Sequence, residues 1–470
     1  MTLRTTDSSL QTGSGNDAPG IIFGVDDRPP PLQWLAFSFQ HLMVAFAAMI
    51  GVPLAFSSIV KLGFDEQTAV ISGVLVAGGV VTMIQSLGVG PIGARLPLVN
   101  DATFKFLGPL TLAYKFGGFG AIYTAAIISG FIIAALGFVV AQIQRFFNTF
   151  IVGAFLIITG VSLMPIALNN LLAIGKPYEA TTAACVTAAL PLVVMIFFSL
   201  TQNLYLCKLR TVSVLLGFVV GYVIAAGFGL INWDPVVAAP WFGLAMPYAL
   251  GTPSWPGLAL VVTFTGVFMA CLIETAGDAT AVAAILGRKI SAQQIRAAVF
   301  ADGLSGPISS LFGGFPMTTY GQNVGLVRLS GVGSRFVVAG TGAMLIIVGA
   351  IPKFTALIAS MPSTVLGAGL VMTFGMIAAE GVRRAGPYMF SARNTAVLTL
   401  GLVPAVSLRT LPQSFLARIP QELAPLLTDA LVTGLLIALL AHLLLPGGTH
   451  EPAIATEQRP GGPAAAQPAE

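Results

Sequence analysis

The chain has 470 residues, of which 56% are hydrophobic and only 9% are charged. A soluble globular protein carries roughly 25% charged residues, so this composition excludes a water-facing surface of this size and indicates an all-α polytopic membrane protein. The formal net charge of +4 comes without a basic cluster. Membrane topology therefore explains it better than a nucleic-acid partner.

Apolar segments of about 20 residues, the length that crosses a bilayer, follow one another along the chain. Twelve such segments are predicted near residues 33–59, 67–87, 119–142, 147–168, 181–203, 211–231, 257–286, 294–313, 336–352, 363–382, 394–408 and 427–446. Two further stretches, 95–113 and 314–329, are apolar but interrupted near their starts by Pro97 and Pro316. Counted as short strand–helix elements, they bring the predicted total to fourteen.

The two ends of the chain are polar. Residues 1–32 and 447–470 flank a membrane domain of residues 33–446, and the Pro-, Ala- and Gly-rich C-terminal tail is predicted to be disordered. The first apolar segment, which starts near Trp34, is too long for a signal peptide, so we expect no cleavable leader. Lys and Arg are enriched in the connections that share a side with the N-terminus, which favours cytoplasmic termini and the plasma (inner) membrane.

The interrupted elements are the third and the tenth in the count, which divides the domain into repeats of about 33–231 and 257–446. Broken segments at matching positions in two halves predict an inverted repeat with a binding site near the bilayer midplane. A helix that starts there directs free N–H groups and the positive end of its dipole at a ligand. The alternative is two ordinary helices that are kinked by proline.

The eighth span carries two carboxylates, Glu274 and Asp278, at an i, i+4 spacing that places both on one face. A charge at the bilayer centre costs at least about 2.5–3.5 kcal/mol, so two of them indicate a polar cavity in which one acid alternates between charged and neutral forms. The alternative is a structural pair satisfied by backbone or hydroxyl donors. Asp302 in the ninth span is either a proton or cation ligand or a tie between helices.

The tenth element carries consecutive carboxamides, Gln322 and Asn323, at a predicted helix start. Consecutive residues point about 100° apart on a helix, so we expect one amide to face a ligand and the other to hold backbone. An amide donates and accepts in one plane, which matches the edge of a heterocycle. The alternative is that both amides only tie helices together.

Aromatic and histidine side chains complete the set of candidates. In the third element, Phe104 or Phe106 is expected either to stack on a flat ring or to pack in the core. His41 in the first span is expected to be a hydrogen-bonded structural histidine rather than a proton relay.

With these residues in view, the sequence resembles the nucleobase/ascorbate transporter family (nucleobase:cation symporters) from about residue 24 to residue 445. The motifs that carry the resemblance are Gly24-Val-Asp-Asp-Arg-Pro-Pro, Gln40-His41-Leu, Glu274-x-x-Gly277-Asp278, Gln322-Asn323-x-Gly325 and Ser334-Arg335. The resemblance implies a fourteen-span, seven-plus-seven inverted repeat with core and gate domains, and usually a homodimer. The substrate would lie between the third, eighth and tenth elements.

The resemblance also implies roles for individual residues. Glu274 would bind the base, Gln322 would bind its other edge, and backbone at Phe104 and Gly321 would supply further hydrogen bonds. The supporting or coupling residues would be Asn323, Asp278, Asp302 and His41. With Gln at position 322 the sequence resembles the xanthine and urate carriers of the family, whereas the uracil carriers tend to have Glu there. The resemblance therefore favours a purine-type base.

Lys105 departs from the family, which carries a small or amide side chain at this position. It is expected either to pair with Asp101 four residues earlier or to favour an anionic ligand such as urate. For the coupling ion we expect a proton rather than sodium, because beyond Asp302 and nearby hydroxyls no oxygen-ligand cluster suits a sodium ion.

Other classes of protein remain as alternatives. A sulfate-permease-like anion transporter shares the implied fold, and a passive uniporter or channel is a further alternative, as is a carrier of uracil. The cysteines have no paired spacing, and the sequence shows no metal-ligand cluster, nucleophile triad or phosphate-binding loop. We therefore expect no enzyme activity, no metal and no cofactor.

Overall fold

A computed structural model of the protein describes residues 20–139, 149–201, 207–243, 248, 250–416, 418–420 and 427–446. The C-terminal tail expected over 447–470 lies outside the described residues, as do residues 1–19. The first half of the chain forms α1 (Pro31–Val60), α2 (Phe64–Leu87), β1 (Asn100–Ala102), α3 (Leu107–Leu136), α4 (Thr149–Leu171), α5 (Thr182–Leu200), α6 (Ser213–Gly227) and the short α7 (Asp234–Ala238). The second half forms α8 (Leu258–Ile285), α9 (Ala292–Leu311), β2 (Met317–Thr319), α10 (Gly321–Ser330), α11 (Arg335–Gly349), α12 (Pro352–Ala359), α13 (Ser363–Ala385), α14 (Ala392–Ser407), α15 (Gln413–Leu416) and α16 (Ala430–Leu444).

Eight of the described helices are long and apolar enough to cross a membrane, and α11 with α12, bent by 82°, would add a ninth. The count of fourteen spans is therefore not confirmed. The 10 residues of α10 rise only about 15 Å, half the hydrocarbon thickness. The 15 residues of α16 and 16 residues of α14 are also short. In α9, polar residues interrupt the apolar run.

The helices pack in two groups, with more contacts inside each group than between them. The first group holds α1, α2, α3, α8, α9 and α11, and the second holds α4, α5, α6, α13, α14 and α16. Helices α4 and α13 approach closely because their facing positions are glycines: a Cβ added at Gly381 would lie 2.6 Å from the backbone nitrogen of Ile157. Small residues permit such close contact between membrane helices.

The two broken elements meet inside the first group. Strand β1 pairs antiparallel with β2, with Asn100 opposite Thr319 and Asp101 opposite Thr318. Both strands are buried, and their ladder satisfies backbone groups that have no water to bind at this depth. A 3-10 helix at Phe104–Phe106 then leads into α3, whereas α10 follows β2 after Tyr320. Each predicted interrupted element is therefore a short strand followed by a helix.

Helix α3 is itself divided. Gly117 and Gly118 have non-helical backbone, and Gly118 has φ 61° and ψ −154°, a region that glycine adopts readily because it has no Cβ. The break separates the two predicted segments 95–113 and 119–142, which otherwise run together as one helix.

The segment before α1 is packed against the loop before α11. Phe23 forms a bridge with Val332, and Asp26 forms ion pairs with Arg335 at 2.9 Å and with Arg288 at 3.3 Å. The hydroxyl of Ser334 donates to the carbonyl of Asp27 over 2.6 Å. The motif residues Ser334 and Arg335 therefore anchor the N-terminal segment.

Candidate functional site

Helix α8 brings both of its carboxylates against the broken elements. Asp278 accepts a hydrogen bond from the hydroxyl of Thr319, at the end of β2, over 3.0 Å. A Cβ added at Gly321, the first residue of α10, would lie 3.4 Å from both carboxylate oxygens of Asp278. Glu274, one turn earlier on α8, is in contact with the other broken element through Lys105. The α8 acids thus face both helix starts.

Lys105 and Glu274 form a buried ion pair, in which the side chains are 8% and 12% exposed. Of the two alternatives for Lys105, the pairing with Asp101 is wrong. An i, i+4 pair requires a continuous helix, but Asp101 lies in β1 and Thr103 between the two residues is extended (φ −99°, ψ 137°). The charge of Lys105 is instead matched by the acid expected to bind the ligand.

Asp302 is fully buried and accepts three hydrogen bonds. Its Oδ1 accepts from the amide of Asn100 at 3.1 Å, and its Oδ2 accepts from the hydroxyls of Thr275 and Thr318, each at 3.0 Å. These donors belong to β1, α8 and β2. Of the two alternatives for Asp302, the structure shows the tie between elements.

The two amides at the start of α10 have separate environments. Asn323 is buried, its Nδ2 donates to the carbonyl of Pro97 at 2.8 Å, and its Oδ1 lies 2.5 Å from Nδ1 of His41. Gln322 is exposed, and its side chain forms no hydrogen bond to the described part of the chain. The expectation that one of the two amides holds backbone is confirmed for Asn323, and so is the hydrogen-bonded state of His41; that Gln322 faces a ligand stays a prediction.

The two phenylalanines of the third element are both buried. Phe106 is fully buried against Phe264 and Phe268, at ring-centroid distances of 5.6 and 4.7 Å. The ring of Phe104 is edge-on to Phe374 of α13 at 5.0 Å. Stacking by Phe106 is therefore excluded, because its ring belongs to the core.

Backbone donors remain at both breaks. Among the described residues, none accepts a hydrogen bond from the N–H of Phe104, Gly321 or Gln322. The first N–H groups of a helix have no partner within the helix and carry the positive end of its dipole. With the carboxylate of Glu274 and the amide of Gln322, the region offers acceptors and donors for a small polar heterocycle. Within the described residues, no cluster of His, Cys, Asp or Glu is suited to a metal ion.

Sequence reasoning missed three threonines that hold the acids in place. Thr275 follows Glu274 directly and lies 3.1 Å from Thr319 through their hydroxyls, while Thr318 and Thr319 follow Pro316 in the second break. Hydroxyl residues directly after the break were a visible signal. Their partners depended on the pairing of two strands that are more than 200 residues apart.

Comparison with known proteins places this geometry in context. Residues 32–414 match the model of the Permease family. The uric acid transporter UacT of Escherichia coli (strain K12) is 30% identical over 449 residues, which cover 94% of this chain and 92% of the relative. The xanthine permease of Bacillus subtilis (strain 168) is 28% identical over 87% of this chain and 93% of its own length.

The fold is also found in a transporter for a different kind of solute. The transmembrane domain of the cyanobacterium bicarbonate transporter BicA superposes with a TM-score of 0.57 over 90% of this chain and 100% of that domain, at 14% identity. This likeness concerns the fold alone.

Proposed function

Because this chain belongs to the Permease family, we propose that it imports a purine-type base together with a cation. Membership of the family makes it a multi-pass membrane transporter of the nucleobase type and not an enzyme. Xanthine or urate is the proposed substrate and a proton the proposed cation. The observation that carries the proposal is the placement of the two α8 acids against the two broken elements: Glu274 pairs with Lys105 of the first, and Asp278 accepts a hydrogen bond from Thr319 of the second. The exposed amide of Gln322, and backbone N–H groups without an acceptor among the described residues, belong to the same helix starts.

The proposed binding mode assigns one edge of the base to each side of the site. A ring N–H donates to the carboxylate of Glu274, and the amide of Gln322 pairs with a neighbouring C=O and N–H edge. The N–H groups of Phe104 and Gly321 bind ring carbonyl oxygens at the positive ends of their helices. Asn323, His41 and Asp302 act indirectly, since they hold the backbone of both breaks.

The proposed architecture has seven elements in each half. The order of helices supports it, because β1 with α3 and β2 with α10 hold the third position of each half when the break at Gly118 is counted. In this scheme the first group of helices is the core domain and the second group is the gate domain. Both termini are cytoplasmic, and the transporter is a homodimer in the inner membrane.

A proton is the proposed coupling ion because Glu274 and Asp278 lie on one face of α8. Protonation of one acid relieves repulsion between them and lowers the charge that must reorient across the bilayer. Both carboxylate oxygens of Asp302 accept hydrogen bonds from protein donors, three in all. These oxygens are therefore poorly available as ligands for a sodium ion.

The test is transport by purified protein in proteoliposomes. Labelled xanthine and labelled urate are offered, and a panel of purines and pyrimidines competes at equal concentration. We expect purines to compete and uracil to compete weakly. Uptake that only uracil inhibits would assign the chain to pyrimidines, and uptake of bicarbonate or sulfate without any base would assign it to anion transport.

Counterflow separates a carrier from a channel. Vesicles loaded with unlabelled base should transiently concentrate the labelled base, because a carrier exchanges bound ligand. A channel or pore would only equilibrate the label.

A further inference from the structure

The ion pair between Lys105 and Glu274 is more buried than four other ion pairs of the described residues. Both of its side chains are nearly buried, at 8% and 12% exposure. Each of the other four pairs has a partner that is at least 31% exposed. Exposed pairs contribute little, whereas a buried pair holds two desolvated charges that depend on each other. Removal of either charge leaves the other uncompensated.

The position of the ion pair affects which charge state of the base the site can bind. The acid that is to bind the base already has a cation as its partner before any ligand arrives. A neutral base that binds Glu274 leaves Lys105 with the same carboxylate, which can serve both because it has about four acceptor sites. A base that has lost a ring proton offers Lys105 a negative partner of its own.

Other charged groups around Glu274 determine the net charge of the region. On α8 itself Asp278 lies one turn away, and Asp101 of β1 and Asp302 of α9 are within electrostatic reach. Arg384 of α13 is within reach from the second group of helices. Acids therefore predominate, so an additional ligand anion is retained only if one acid takes up a proton.

We propose that Lys105 is the counter-ion of the substrate, and that the transported species is the ring anion of the base. This inference rests on the proposed function and adds a charge state to it. On binding, Lys105 transfers its ion pair from Glu274 to the anionic ring, and Glu274 takes up one proton from the outer solution. The protonated carboxyl keeps acceptor capacity, so it still accepts the hydrogen bond from a remaining ring N–H. The anion and the proton leave together on the inner side, and Lys105 returns to Glu274.

The scheme makes both forms of the carrier neutral at this position. The empty site holds one lysine cation and one carboxylate, and the loaded site holds the same cation, one ligand anion and a protonated Glu274. In neither form does this set of groups add a net charge that must cross the bilayer, where an unbalanced charge is costly. One anion and one proton move together, so the import step is electroneutral.

The charge of the cycle can be measured without any variant. Purified wild-type protein is reconstituted, and urate, which is an anion at neutral pH, is applied. The current is recorded on a solid-supported membrane, and the uptake of labelled urate is measured in parallel. We expect labelled urate to enter without a net current. A positive current would indicate an excess of cations, and a negative current would indicate entry of the anion alone; either result overturns the inference.

Matched variants test the role of Lys105 itself. Binding of urate and of hypoxanthine, which is neutral at neutral pH, is compared at one pH in the wild type, in Lys105→Arg and in Lys105→Met. We expect Lys105→Met to weaken urate at least about tenfold relative to hypoxanthine, as is typical for loss of a charge-assisted hydrogen bond. Lys105→Arg should retain the wild-type ratio. An unchanged ratio in Lys105→Met overturns the inference.

Folding of the variant is controlled separately. If Lys105→Met is unstable because Glu274 loses its partner, the double variant Lys105→Met/Glu274→Gln removes both charges and is compared with Glu274→Gln alone. Loss of the urate preference only where Lys105 is absent supports the inference. If the wild type binds no purine at all, the proposed function itself is contradicted. This outcome differs from a failure of the inference about Lys105, in which purines bind but the ratio does not change.

Discussion

The side chain of Asn100 donates a hydrogen bond to Asp302 over 3.1 Å and joins β1 to α9. The second oxygen of Asp302 accepts from Thr318 of β2 over 3.0 Å. One buried acid therefore holds both strands of the two broken elements. Because the helix starts that face the two acids of α8 follow directly from these strands, the geometry of the site depends on Asp302, which is itself held by protein donors.

Replacement of Asp302 should destabilise the protein. The change Asp302→Ala leaves buried donors of Asn100, Thr275 and Thr318 without this acceptor, and a buried donor without a partner costs about 1–3 kcal/mol. We expect the free energy of unfolding to fall by roughly 2 kcal/mol or more, measured by thermal unfolding in detergent. Asp302→Asn keeps one acceptor oxygen and should lose less. The exposed Asp65→Ala is the control, and equal melting temperatures for Asp302→Ala and Asp65→Ala would contradict the prediction.

Replacement of Glu274 should abolish accumulation. Glu274→Gln keeps the shape of the side chain but removes the charge that binds a ring N–H and takes up the coupling proton, and it leaves Lys105 without its partner. We expect uptake of labelled xanthine and urate to fall to the background of empty vesicles. Glu179→Gln, at an exposed loop position, should transport like the wild type. Uptake at the wild-type rate by a properly inserted Glu274→Gln would reassign base binding to other residues.

Gln322 should determine which base is preferred. The change Gln322→Glu replaces a group that donates and accepts with one that only accepts when ionised, so the competition profile should shift from purines toward uracil-like ligands. The neighbouring Asn323 offers the contrast, because it is bound to Pro97 and His41. Asn323→Asp should weaken the uptake of all bases alike. An unaltered profile in Gln322→Glu would show that this side chain does not contact the ring.

The sequence predicted the elements of the fold well because its signals were local. Apolar runs marked the helices, and Pro97 and Pro316 marked the two breaks. The i, i+4 spacing of Glu274 and Asp278 placed both acids on one face. The split between Gln322 and Asn323 also followed from helical geometry. Each of these inferences needed only neighbouring residues.

Alternatives stayed open in the sequence where the local conformation departs from helix or where the partners lie far apart in the chain. Lys105 was paired with Asp101 as if both were helical, but the strand and the extended Thr103 redirect it to Glu274 on α8. For Phe106 the sequence left stacking and core packing open, and the contacts with Phe264 and Phe268 show core packing. Such contacts are set by packing between segments more than 150 residues apart in the chain, as the separation of 169 residues between Lys105 and Glu274 shows.

Accumulation should depend on protons and not on sodium. Glu274 and Asp278 share a face of α8, so protonation of one acid relieves their repulsion and permits the loaded site to reorient. Inward movement of a neutral base with one proton is favoured by about 2.3 kcal/mol per 100 mV, or roughly 50-fold accumulation, since 1.4 kcal/mol is tenfold. For an anionic base the same proton cancels the charge, and the pH gradient alone drives uptake.

In both cases a protonophore should collapse accumulation, and replacement of sodium by choline should leave it intact. A potassium–valinomycin clamp at zero potential separates the two, because it removes the electrical driving force for the neutral base but not the pH-driven uptake of the anion. If these acids only brace α8, the base would equilibrate without accumulating. Sodium-dependent or protonophore-insensitive accumulation would instead assign the coupling to another ion.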